Sequence, residues 1–152
     1  MNMKNPEYAL EQAVAGTFAD MAFIDVIRTA EAGYDMMYGQ ILFIAFSGEL
    51  HGSLVLYLPL KLKQMIASNI HGRVFSSLKP YEIDDCLLEL INVLAGNFLG
   101  YYLGMAARYT LTLPEAVFDE KELPAGDRFS KYFFNAEGEP FLVAVCLKAK
   151  GV

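Results

Sequence analysis

Apolar residues recur at Leu10, Val14, Phe18, Met21, Ile24 and Ile27, close to the 3.6-residue helical period. Asn5-Pro6-Glu7 ahead of them is a helix start, with Asn as N-cap, Pro at the first helical position and an acid in the first turn. The pattern therefore predicts a first long helix, closed in the region of Gly33. The period then changes. QILFIAF (Gln40–Phe46) and GSLVLYL (Gly52–Leu58) flank the turn Ser47-Gly48-Glu49, which predicts a hairpin stopped by Pro59. Leu60–Ile70 reads as a shorter helix ending at His71-Gly72. Pro80 opens a second long helix, with Glu82, Asp84 and Asp85 near its positive end, running to about Tyr109. Strand-like segments follow at 111–118, 129–135 and 140–147, the last two joined by the turn Asn135-Ala-Glu-Gly138. The expected fold class is α+β in a single domain, 1–152, with a largely antiparallel sheet against two long helices and one shorter one. Its expected order is α-ββ-αα-βββ.

The second long helix, DDCLLELINVLAGNFLGYYLGMAA, is almost wholly apolar, yet it carries Asp85, Glu89, Asn92 and Gly96. At about 100° per residue these four fall within one stripe about 60° wide. Leu87, Leu90, Ile91, Leu94 and Phe98 lie on the other side. On spacing alone this is an ordinary solvent-facing stripe. Two features pull against that. An exposed face usually carries mobile Lys and Glu, whereas this one has a short Asn and then a glycine. Gly in a helix interior costs about 1 kcal/mol against Ala, so Gly96 suggests close approach to the backbone. Gly100 and Gly104 continue the spacing and read as close helix packing, against Ala13 and Gly16 of the first helix. A short echo, Ala15-Gly16-Thr17-Phe18 against Ala95-Gly96-Asn97-Phe98, is weak by itself. Read as ancestry it implies pseudo-duplicated halves, of which at most one carries the polar set.

Charge narrows the partners. Eighteen acids against twelve Lys and Arg leave a net charge of -6, with no basic cluster of the kind phosphate binding needs, so nucleic acid and anionic membrane surfaces are not expected. The 22-residue run Cys86–Ala107 has the length of a membrane span, but it contains Glu89, Asn92 and Asn97. A carboxylate at a span's centre costs roughly 2.5–3.5 kcal/mol, and no Lys or Arg cluster flanks the run. A core helix is the better reading. Cys86 and Cys146 read as buried free thiols, and MNMKNPEYAL has no signal-peptide character. A cytoplasmic location is expected.

Asp85, Glu89 and Asn92, followed after twenty-one residues by Pro114, resemble the signature of the CheC/CheX/FliY chemotaxis phosphatases. With one intact motif, the chain is most like single-motif CheX. The resemblance implies hydrolysis of the aspartyl phosphate on a CheY-like response regulator. Asn92 would insert a carboxamide that orients the attacking water, an amide being both donor and acceptor. Glu89 would pair with the regulator's active-site lysine. Asp85, Gly96 and Pro114 are assigned to partner binding. The resemblance also implies a homodimer, no cofactor of the chain's own, and Mg held by the partner regulator. A non-catalytic module that binds the regulator or a flagellar-motor component would keep Glu89 but need not keep Asn92.

No other constellation competes. His51 and His71, the only histidines, have no acid or nucleophile beside them in sequence. Ser76-Ser77 has no nucleophile-elbow setting. The Tyr34–Tyr38 run reads as core or subunit interface, and no metal-ligand spacing occurs.

Overall fold

The computed structural model describes residues 5–30 and 38–148. Helix α1 (Pro6–Ala22) starts where the sequence places it, with the Asn5 side chain accepting from the Glu7 N–H at 2.8 Å. It stops earlier than the apolar period suggests. Phe23 takes a left-handed conformation (φ 56), and the Ile24 N–H turns back to the Phe18 carbonyl. Few non-glycine residues adopt this conformation, so no local signal marks the stop. The chain then enters β1 (Val26–Thr29), a strand the helical period concealed. Ile27 is two-thirds exposed on it. Gly33 and most of the Tyr34–Tyr38 run lie outside the described residues.

Strands β2 (Tyr38–Gly48) and β3 (His51–Pro59) form the expected hairpin. Helix α2 (Leu60–His71) follows at once. Helix α3 (Pro80–Leu103) is capped by Gly104 (φ 95), its last residue Leu103 lying six before the expected limit near Tyr109. The segment expected as one strand over 111–118 is two, β4 (Tyr109–Leu111) and β5 (Glu115–Val117). Strands β6 (Ser130–Ala136) and β7 (Glu139–Lys148) close the chain. Their turn has positive φ at Glu137 and Gly138, and the Asn135 side chain accepts from the Gly138 N–H at 2.7 Å. The order is thus α-βββ-αα-ββββ, an α+β fold in which every paired strand among the described residues is antiparallel.

The sheet runs β1-β6-β7-β3-β2-β4, with β5 also paired to β2. All three helices cover one face. Phe18, Phe98, Phe134 and Phe141 are fully buried there with Leu42, Ile44, Leu54, Leu56 and Leu58, each worth about 1.5–3 kcal/mol of burial. The 117–129 segment covers part of the other face, where Ile41, Val55, Tyr57, Leu142 and Ala144 form a second apolar cluster with Val117, Leu123 and Phe129. Strands β3 and β7 are buried on both faces, which explains why they read as continuous apolar runs rather than alternating ones.

Candidate functional site on helix α3

Helix α3 is held at its entry by Pro80 and by Glu82, whose carboxylate accepts from the Lys79 N–H at 3.0 Å and pairs with Arg73. The Lys79 N–H, helped by the Arg73 guanidinium, holds the Glu82 carboxyl below the usual carboxylate range. The helix is long and apolar enough to cross a membrane by composition. In this fold its apolar side is used by the core: Leu87, Leu90, Ile91, Leu94, Phe98 and Leu99 are buried, against α1, α2 and the sheet. The Asn97 side-chain amide donates to the Thr17 hydroxyl at 2.9 Å across the α1–α3 contact. These are corresponding positions of the sequence echo.

The opposite side carries the predicted stripe. Asp85 and Glu89 are exposed, and Asn92 and Gly96 are half-buried. Among the described residues no ion pair engages Asp84, Asp85 or Glu89, and no hydrogen bond engages the side chains of Asp85, Glu89 or Asn92. Asp85 and Glu89 are like charges one turn apart, an arrangement that costs an isolated helix about 0.2–0.5 kcal/mol. A face built only for solubility would place a Lys there. The result is a negative strip with one free carboxamide, suited to a cationic partner.

Pro114 lies between β4 and β5, both of which touch α3. Leu111 is opposite Phe46 and Glu115 is opposite Phe43. Four steps on one strand thus match three on the other, which is a β-bulge. Thr112 pins its start, donating its N–H to the Ala45 carbonyl at 2.9 Å and accepting the Ala45 N–H on its hydroxyl at 3.0 Å. A proline, with no N–H to give, fits such a break in the ladder. This is the physical role of Pro114 that spacing alone did not supply.

Two readings of the glycines are corrected. A Cβ on Gly100 or on Gly16 would meet nothing within 4 Å, and Gly104 is the helix cap. Neither Gly16 nor Gly100 therefore serves close packing. We expect Gly100→Ala to stabilise the protein by about 0.5–1 kcal/mol, because helix propensity is gained with no clash. A thermal melt should rise by about 1–4 °C; a lower melting temperature would show a contact at this position.

The structure adds Tyr81 to the stripe, one turn before Asp85 and 61% exposed, with the Lys79 ammonium 5.9 Å from its ring centre. Its angle on the helix was readable from the sequence, but Pro80-Tyr81-Glu82 drew attention only as a helix start. Cys86 is on the buried side. Its thiol donates to the Ile83 carbonyl at 3.2 Å, and burial pushes its pKa up to about 11, so it is no nucleophile at neutral pH. His71 contacts the Glu82 carbonyl at 3.0 Å, and His51 lines a small recess with Ser53, Asp127 and Lys148. No group of three or more His, Cys, Asp or Glu able to hold a metal occurs among the described residues.

A family model described as chemotaxis phosphatase CheX matches residues 41–134, more than half of the chain and the whole of α3 with its bulge. The chain belongs to the CheX family. Solved structures agree on the fold. A CheX from Desulfovibrio desulfuricans superposes with a TM-score of 0.75 at 13% identity, covering 94% of this chain and 99% of that one. A CheX from Borrelia burgdorferi, solved in complex with CheY, BeF3 and Mg, gives 0.70 at 14%, covering 95% and 98%. FliY from Thermotoga maritima gives 0.59 at 19%, covering 93% and 84%. No curated protein sequence matches the chain. At 13–19% identity these likenesses show the fold.

Proposed function

We propose that this CheX-family protein hydrolyses the aspartyl phosphate of a CheY-like response regulator, docking through the outer stripe of α3. The observation that carries the reading is the pairing, on one exposed helix face, of an unengaged Glu89 with an unengaged Asn92. Family membership supports it, as does the Borrelia CheX solved with CheY. In the reaction, a water oxygen bonds to phosphorus and loses a proton. The bond between phosphorus and the aspartate oxygen breaks, and its electron pair returns to the carboxylate. Inorganic phosphate leaves. Asn92 accepts from the water with its carbonyl or donates with its NH2, and so holds it in line. Little covalent chemistry is asked of the chain, so positioning supplies the rate. Glu89 pairs with a lysine of the regulator, and Asp85 adds negative charge beside it. Mg2+ belongs to the regulator. The test is phosphate release from a panel of phosphorylated regulators with and without this protein; no acceleration for any of them would remove the reading.

The working unit in this reading is a homodimer. Strand β1 is a sheet edge, paired only with β6 among the described residues, and it exposes Ile27. Such edges template pairing with a second chain. Sedimentation at micromolar concentration should give two chains per particle; monomer alone would exclude the dimer.

A further inference from the structure

We infer that Tyr109 is a second water-holding group of the α3 site, an inference that rests on the phosphatase reading above. Tyr109 opens β4 opposite Gly48. It shares the sheet face of Phe46, two residues along β2, and therefore turns toward the helices. Gly48 has φ 142, and a Cβ there would stand 2.4 Å from the Arg108 carbonyl oxygen and 2.8 Å from the Tyr109 Cα. The two strands close at this point with no room for a side chain, and the closure delivers the tyrosine ring to the flank of α3.

The ring packs against the main core, while its hydroxyl lies 3.8 Å from the place a Cβ on Gly96 would take. Gly96 is on the stripe, one turn after Asn92. The hydroxyl and the Asn92 carboxamide therefore lie at neighbouring turns of one helix face. Among the described residues this hydroxyl has no hydrogen-bond partner. A phenol tip left unengaged one turn from an unengaged carboxamide is a pairing that can share one water. A water bonded to both groups at roughly 2.7–3.0 Å each bridges polar atoms about 4.5–5 Å apart. The Gly96 position thus acquires a function: without a side chain it leaves the phenol open to the stripe.

Tyr109→Phe removes the hydroxyl and keeps the ring. With a phosphorylated regulator as substrate, we expect kcat to fall about 10–100-fold, the regulator KM to stay within about twofold, and the melting temperature to be unchanged. If the two groups hold one water, Asn92→Ala/Tyr109→Phe is no slower than Asn92→Ala alone, since groups acting as a unit are not additive. Wild-type kcat in Tyr109→Phe, beside an inactive Asn92→Ala, overturns the inference and leaves the phosphatase reading standing. Wild-type kcat in Asn92→Ala overturns both. A loss of kcat matched by a fall in melting temperature, or fully additive losses in the double variant, assigns Tyr109 to the fold and overturns the inference as well.

Discussion

We expect Asn92→Ala to fold, to bind the regulator, and to turn it over about 10²–10³ more slowly than wild type, the usual loss when one preorganised hydrogen-bonding group is removed. The fold survives for reasons visible in the helix. Asn92 is only half-buried and its carboxamide is unengaged among the described residues. Alanine is the better helix former, and no core volume is lost. Docking is expected to survive because Glu89 remains. In the proposed mechanism, what disappears is the group that aims the water. Asn92→Gln keeps the amide but displaces it by one methylene, roughly 1 Å, which can itself cost about 10²-fold. Turnover is measured at saturating regulator, with affinity measured separately. Wild-type turnover in Asn92→Ala would show that this residue does not orient the water, and a regulator-binding module without catalysis would become the better account.

Glu89→Lys is expected to abolish docking while leaving the fold intact. In the proposed complex Glu89 meets a lysine, so the substitution sets like charges together at several kcal/mol. That is a loss of at least about 100-fold in affinity at 1.4 kcal/mol per decade. Misfolding would not explain such a loss. Glu89 is exposed and engages no partner among the described residues. A lysine there would face Asp85 one turn earlier, replacing a like-charge pair by an attractive one worth about 0.2–0.5 kcal/mol. The variant should therefore melt no lower than wild type. Unchanged affinity by calorimetry would dismiss the ion pair. It would leave Tyr81 and the bulge around Pro114 as the parts of the surface to examine next.

Much of this site was legible before any fold was known, because the information is local. A helix of fixed pitch places Asp85, Glu89, Asn92 and Gly96 on one face wherever it packs. Pro80, Glu82 and the run of leucines specify that helix without help from distant residues. Hairpin β2–β3 and the β6–β7 turn were readable for the same reason. The positive-φ positions of Glu137 and Gly138 and the Asn135 side-chain bond lie within four residues of chain.

Other features depended on partners far away in sequence. Strand β1 exists because Val26–Thr29 pairs with Phe133–Ala136; taken alone, Ile24 and Ile27 continue a helical period. The helix before it stops at Phe23 in a conformation its own side chain disfavours. The break between β4 and β5 arises from register against β2, which the residues of 111–118 do not encode by themselves. Spacing likewise assigned Gly100 to a helix contact, where the fold left open space, and gave Tyr109 to the end of α3, where the fold turned it back beside Gly96. Periodicity along α3 determined which chemical groups share a face. Only the tertiary structure decided which neighbour is brought to that face, because the strand delivering Tyr109 is held by β2, more than sixty residues earlier in the chain.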